Sequence, residues 1–265
     1  MVAARIAGRT PAGHREDRHF TTTLANGMAL LSCFREGERR LAHRDFVVRT
    51  GLAKANVSRL AFTLVRLGFL RLEPGSGKYL LGSPVLSMGY PLLAGMHIRQ
   101  IAGPWMRETA EELGATVSMA VRDRAQMISV EASQSGASGT SGTDIGAASP
   151  LLGSAMGTAW LASVSAFERE RAVNHALVVA GSSRDAGAAA RVARSLSEFA
   201  RNGYCAVFDE AGGRARVAVP LRAPIDSESL VFDCALRQVD SGLLDSAGRR
   251  LMLMTRSIEG ALSMR

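Results

Sequence analysis

Thr50-Gly51-Leu52-Ala53-Lys54-Ala55-Asn56-Val57-Ser58-Arg59-Leu60, with Leu67-Gly68-Phe69-Leu70 shortly after it, decides the fold of the front of this chain. A tight connection between two helices needs a residue that tolerates positive φ, and Gly51 supplies it. Val57, Leu60, Leu64 and Leu67 then recur at helical spacing. They predict a helix from about Lys54 to Leu67 with this stripe inward and Asn56, Ser58, Arg59, Thr63 and Arg66 mostly outward. Gly68 stops it. Upstream, Phe46 and Val47 give a short helix over Ala42–Arg49, while Leu24, Met28 and Leu31 mark a first helix over about Leu24–Phe34, capped by Thr22 or Thr23 and ended by Gly37. Downstream, alternating residues from Phe69 to Leu81 flank Pro74-Gly75-Ser76-Gly77, the pattern of a β-hairpin. Three helices, a glycine turn before the third and a hairpin directly after it make a winged helix-turn-helix over residues 21–83, preceded by a flexible arm over 1–20 with no apolar period.

Behind this reader, the apolar stretch Val85–Leu93 and the helical run His97–Leu113 form linker helices over 84–114, with Ile101, Trp105, Met106, Ala110 and Leu113 at helical spacing. Strands follow at Thr116–Val121 and Met127–Ala132, joined by the charged turn Arg122 to Ala125. Residues 133–149 are rich in Ser, Gly and Thr and long for a connection inside a domain, so they are expected to be a mobile functional loop or an ill-ordered edge. Helices are expected at Leu151–Ala162, Ala166–Leu177 and Asp185–Asn202, strands at Tyr204–Phe208, Arg216–Leu221 and Leu230–Ala235, and a closing helix at Leu243–Met264. Strands interrupted by helices in this order fit an α+β domain over 115–265 better than a doubly wound sheet.

The chain carries 32 Lys and Arg against 24 Asp and Glu, a net charge of +8. Residues 1–85 hold 14 of the basic and 6 of the acidic residues, so the whole excess sits there and residues 86–265 balance. A polyanionic partner for the first part follows, nucleic acid above all. The competing reading is arginine enrichment from base composition alone, which would not by itself confine the excess to one end of the chain. Cys33, Cys205 and Cys234 are far apart with no zinc spacing, and read as buried thiols in a reducing compartment. No metal and no cofactor is expected. No apolar window is long enough for a membrane span and the N-terminus lacks a signal peptide's apolar core, so a cytoplasmic protein is expected.

The order of elements and several strings resemble the IclR family of transcription regulators from about Thr22 to Leu262. The string from Thr50 to Leu60 looks like the family's turn and recognition helix, Leu67 to Leu70 its lead into the wing, and Gly77 to Gly82 its second wing strand. Ile145 to Gly157 resembles the loop-to-helix segment that helps enclose the effector. Two departures stand out: Ala53 replaces the proline usual at the start of the recognition helix, and Thr158 stands where a basic residue commonly follows the glycine. The resemblance implies a GAF-like effector-binding domain, a linker helix that dimerises the DNA-binding domains, and a regulator of small-acid or aromatic catabolism that works as a homodimer or a dimer of dimers.

For DNA, residues at the N-terminal end of a recognition helix reach base edges. Arg59 can pair with guanine and Asn56 with adenine, Ser58 lies beside them, and Lys54, Arg44, Arg71 and Lys78 are expected on phosphates. For the effector, the family's register places Arg216, Asp233 and Ala235 on strand faces that point to the ligand. Arg216 suggests a carboxylate-bearing small organic acid, also held by backbone near Gly153, Ser154, Ala155 and Met156. The other reading pairs Asp233 internally with Arg216. Asp209 is carried as an acidic candidate on a loop, Phe208 to Gly213, that is one residue shorter than the family's usual one. The partners are therefore a double-stranded DNA operator, a small organic acid, a second copy of the chain and, for an activator, RNA polymerase, with no membrane.

An enzyme is the competing class. The sequence has no nucleophile elbow, phosphate-cradling glycine loop or H-E-x-x-H, and Ser154 with His175 reads more simply as a helix cap and a surface histidine than as a catalytic pair. A sensor whose wing meets protein is the third class, and the basic recognition helix argues against it.

Overall fold

The computed structural model describes residues 19–35, 37–136, 144–181, 187–209, 214–222, 224–225, 228–237 and 241–264. The chain divides into two compact units, residues 1–95 and 96–265.

The first unit contains α1 (Thr22–Leu31), α2 (His43–Thr50), α3 (Lys54–Arg66), β1 (Leu70–Leu72), β2 (Tyr79–Leu81) and α4 (Pro84–Gly95). Gly51 adopts φ 70°, and its N–H donates to Val47 O at 2.9 Å, which closes α2 and turns the chain into α3. The core gathers Leu30, Cys33, Phe46, Val57, Leu60, Ala61, Leu64 and Leu70. Phe46 lies at its centre, edge-on to Phe34 and Tyr79 with ring centroids 5.8 and 5.4 Å apart. Antiparallel β1 and β2 pair Leu70 with Leu81 and Leu72 with Tyr79, and a bridge from Tyr79 to Leu41 ties the wing to the chain ahead of α2.

Two inward stripes differ from the sequence expectation. In α1, Leu24 and Met28 are 66% and 46% exposed, while Ala29 and Leu30 are buried. The segment holds two overlapping apolar stripes, and the one that reaches Leu60 and Cys33 wins. In α3 the stripe is Val57, Leu60, Ala61 and Leu64; Leu67, 61% exposed, comes after the last helical turn. The arm expected over 1–20 falls outside the described residues except for its last two.

The second unit contains α5 (Ile98–Leu113), β3 (Thr116–Asp123), β4 (Gln126–Gln134), β5 (Ala148–Pro150), α6 (Ala155–Ser163), α7 (Ala166–Ala180), α8 (Ala188–Asn202), β6 (Cys205–Asp209), β7 (Arg214–Pro220), β8 (Val231–Arg237) and α9 (Ser241–Ser263). The strands form one antiparallel sheet in the order β5-β4-β3-β8-β7-β6. Helices α5 and α9 pack together on one face; α6 packs on the other with α8. This is the α+β arrangement expected of the rear domain.

Alternation assigns the faces. Ala120, Met127, Cys205, Ala218 and Val231 pack with Ala155, Met156, Ala159 and Trp160 of α6. Their strand neighbours Met119, Val217, Val219, Phe232 and Cys234 are also buried and point the other way. The buried side of α5 is Ile98, Ala102, Gly103, Met106, Thr109 and Ala110. Trp105, Ile101 and Leu113 are half-buried, so this stripe is rotated from the expected one. Helix α6 begins at Ala155 rather than Leu151, because Ser154 caps it and Gly153, at φ 85°, turns the chain beforehand. Part of the expected loop 133–149 is strand, and residues 137–143 lie outside the described residues, as do 182–186 ahead of α8. All three cysteines are buried, and burial pushes the Cys33 and Cys205 thiols up to about 11 and about 12. Among the described residues no helix is long and apolar enough to cross a membrane.

Gly157 shows how tightly α6 is seated: a Cβ there would lie 1.9 Å from the Leu151 carbonyl oxygen. Gly157→Ala is expected to destabilise the second unit by about 2–3 kcal/mol, the scale of an overpacked core. Gly260→Ala, in a helix with nothing within 4 Å of the added Cβ, should be neutral or stabilising. Trp105 and Trp160, the chain's two tryptophans, both lie in this unit, so denaturant unfolding followed by their fluorescence reads the comparison directly.

Candidate functional site

Lys54, Ser58 and Arg59 are exposed on α3, whereas Asn56 is half-buried. Ser58 Oγ is 2.9 Å from His43 Nε2, a contact from the first turn of α2 that holds the serine in place. Arg44 is exposed on α2, and Arg71 and Lys78 are exposed on the wing.

The acids among the described residues of this unit are occupied internally. Glu38 binds Arg49, which also donates to Cys33 O at 2.7 Å, and this hydrogen-bonded pairing holds the Glu38 carboxyl below the usual range. Glu73 meets Arg40 at 2.8 Å. Asp45 accepts from the Ala42 N–H at 2.8 Å and is 3.9 Å from Arg44. Lys54, Arg59, Arg71 and Lys78 make no ion pair among the described residues.

In the second unit, strand register brings the expected effector residues onto one sheet face. Arg216 pairs with Ala235, Ala218 with Asp233, and Asp233 with Ser118 of β3. Asp233 is fully buried; its Oδ1 accepts a short hydrogen bond from Ser118 Oγ, and its Oδ2 lies 3.3 Å from Arg216 Nε. Burial pushes the Asp233 carboxyl above the usual range, against the opposing pull of Arg216 and the Ser118 hydrogen bond. The internal pairing that the sequence left open is therefore present. The Arg216 side chain is 30% exposed.

Ser154 accepts from the Gly157 N–H at 3.0 Å and donates to Pro150 O, which commits its hydroxyl to capping α6. His175 is exposed on α7. Ala155 and Met156 have buried side chains and stand in the first turn of α6, where backbone N–H groups have no acceptor within the helix. Asp209 closes β6, opposite Arg214. A cavity of about 300 Å³ lies between the 152–161 segment and α8, lined by Leu152, Gly153, Thr158, Leu161, Arg191, Val192, Leu196 and Val207 among others. Its lining includes Gly153 and Val207, the strand partner of Arg216, but not Arg216, Asp233 or Ala235. Among the described residues no cluster of three or more His, Cys, Asp or Glu could hold a metal ion.

Models of known families match most of the chain. The IclR helix-turn-helix domain matches residues 23–74, and the bacterial transcriptional regulator IclR C-terminal domain matches residues 91–227. The chain belongs to the IclR family. It is 36% identical over 189 residues to the HTH-type transcriptional regulator TsaQ1/TsaQ2 of Comamonas testosteroni, a match spanning 69% of this chain and 66%, just under two-thirds, of that relative. It is 28% identical over 188 residues to the regulator KipR of Bacillus subtilis, covering 71% and 74% of the two. Among solved structures, an IclR family transcriptional regulator from Brucella abortus superposes with a TM-score of 0.78 at 34% identity, covering 98% of each chain. An IclR homolog of Microbacterium hydrocarbonoxydans, solved with 4-hydroxybenzoate, shares the fold with a TM-score of 0.69 at 18% identity, covering 92% and 100%.

For this IclR-family chain, sequence reasoning missed His43 and Ser118. A lone histidine at a helix start carries no signal of its own, and Ser118 meets Asp233 only through a pairing 115 residues apart.

The position of Asp233 makes stability pH-dependent. Its folded-state pKa is raised, so its contribution is full below the ordinary carboxylate range of about 4 and is lost as pH rises through the folded value. Asp233→Asn, which cannot ionise, should gain stability relative to wild type as pH increases from about 4, read by tryptophan-monitored denaturation at several pH values. A constant difference across that range would contradict the assignment.

Proposed function

We propose that the first unit binds an operator in double-stranded DNA and that the second takes up a small carboxylate-bearing metabolite which changes that binding. The observation that carries the reading is electrostatic. Glu38, Asp45 and Glu73 are satisfied within the unit, while Lys54, Arg59, Arg71 and Lys78 face solvent. In this reading Arg59 and Asn56 address base edges, with Ser58 positioned by His43, and Lys54, Arg44, Arg71 and Lys78 hold phosphates. Arg216, partly exposed beside Asp233, supplies the cation for the metabolite's carboxylate, and N–H groups around Gly153, Ser154, Ala155 and Met156 supply further donors. Ala235 lies across from Arg216 on β8, and Asp209 ends β6, the strand that pairs with β7.

The metabolite is an aromatic or small organic acid, and 4-hydroxybenzoate, bound by a protein of the same fold, is a reasoned first probe. The working form is a homodimer or a dimer of dimers in the cytoplasm, joined through the linker segment 84–114; α4, which has no buried residue, suits such a contact. A coupling of ~1–3 kcal/mol between ligand and DNA changes occupancy several-fold to a hundredfold. If the effect is activation, RNA polymerase is a further partner. The residues act by binding and no bond is made or broken.

The test uses full-length protein, a labelled duplex from the gene's own upstream DNA, and fluorescence anisotropy across salt concentrations. Affinity should fall steeply with salt; Lys78→Ala should reduce the logarithmic slope by about 1, and Arg59→Ala should cost about 1–3 kcal/mol on the specific duplex alone. Salt-independent binding, or none, rejects the DNA reading. For the metabolite, calorimetric titration with aromatic and aliphatic carboxylates should show weaker binding to Arg216→Ala, and equal affinity removes Arg216 from the site.

A further inference from the structure

Helix α3 carries an aromatic residue that the DNA-contacting set above does not use. Val57, Leu60, Ala61 and Leu64 are buried and fix the inward side. At about 100° per residue, the side directly opposite is Ala55, Arg59, Phe62 and Arg66. Phe62 is 66% exposed. Arg59 and Arg66 sit one helical turn before and after it on the same strip, and the Arg66 guanidinium lies 6.0 Å from the ring centroid. The helix has no acidic residue from Lys54 to Arg66.

Charge decides what covers this ring. A second copy of the chain pressed against the strip would set arginine against arginine, and an ordinary protein surface would have to bury two cations. A polyanion meets both arginines favourably and leaves the ring between them. In the major groove of a duplex the apolar feature of a base edge is the C5-methyl group of thymine. We propose that Phe62 is a specificity-determining residue that packs on a thymine methyl, in the register set by Arg59 and Arg66 on either side. This rests on the reading of α3 as the helix that enters the major groove.

The experiment separates the two. Duplexes are enriched from a random pool with the full-length protein, and each thymine of the selected sequence is then replaced singly by deoxyuridine, which removes the methyl and nothing else. At one thymine per half-site, wild-type affinity should drop about fourfold, the worth of one buried methyl-sized group. Phe62→Ala should bind the thymine and uridine duplexes alike, with the affinity wild type has for the uridine form, an equality that also shows the variant folds and reads the rest of the site. Insensitivity of wild type to every replacement, or a sensitivity that Phe62→Ala retains, overturns the assignment of Phe62 while leaving DNA binding intact. Enrichment of no duplex overturns both.

Discussion

The rotation of α3 about its own axis is the constraint on which the reading of the first unit depends. Val57, Leu60, Ala61 and Leu64 are driven against Leu30, Phe46 and Leu70 by the apolar area they remove from water, and no other rotation buries all four. Once they are seated, the outward strip is determined. Gly51 contributes the sharp entry that lets the helix start where it does, and the His43 contact to Ser58 braces its second turn from the side. The same packing leaves every acid of the described part of this unit within reach of an internal partner, so the surface charge is set by core geometry as much as by composition.

In the second unit the comparable constraint is a buried carboxylate. Asp233 lies in the middle of a six-stranded sheet, between Ser118 on one side and Arg216 on the other. A charge removed from water is costly unless it is neutralised or paired. Hence the proton affinity of Asp233, the orientation of Arg216 and the pairing of β3 with β8 are bound together, and a molecule that engages Arg216 acts on the central strands of the sheet.

Most of the architecture was legible in the sequence, because glycines and apolar periods mark it. Gly51, Gly68, Gly114 and Gly203 each close a helix with positive φ, and the strand positions from Cys205 to Arg237 were readable by alternation to within about two residues. Helix faces were less legible. Leu24 and Met28 form as good a stripe as Ala29 and Leu30, and only the third dimension chooses between them. The candidate site divides the same way. Asp233 and Ala235 share a face by alternation within one strand, Arg216 was set beside them by the resemblance to the family's register, and Ser118 needed a pairing between distant segments. The cavity beside Gly153 needed α8 to be placed against α6, which nothing in the local pattern specifies.

The sheet's outer margin at β5 carries one more implication. That strand is only three residues long and ends in Pro150, which has no amide hydrogen to offer a neighbour. An incoming chain therefore finds too short a ladder to extend, and stacking of sheets margin to margin into fibrils is disfavoured on this side. Along the stretch that β5 covers, Gln126 to Ile128 of β4, the sheet thus presents a poor template for another chain.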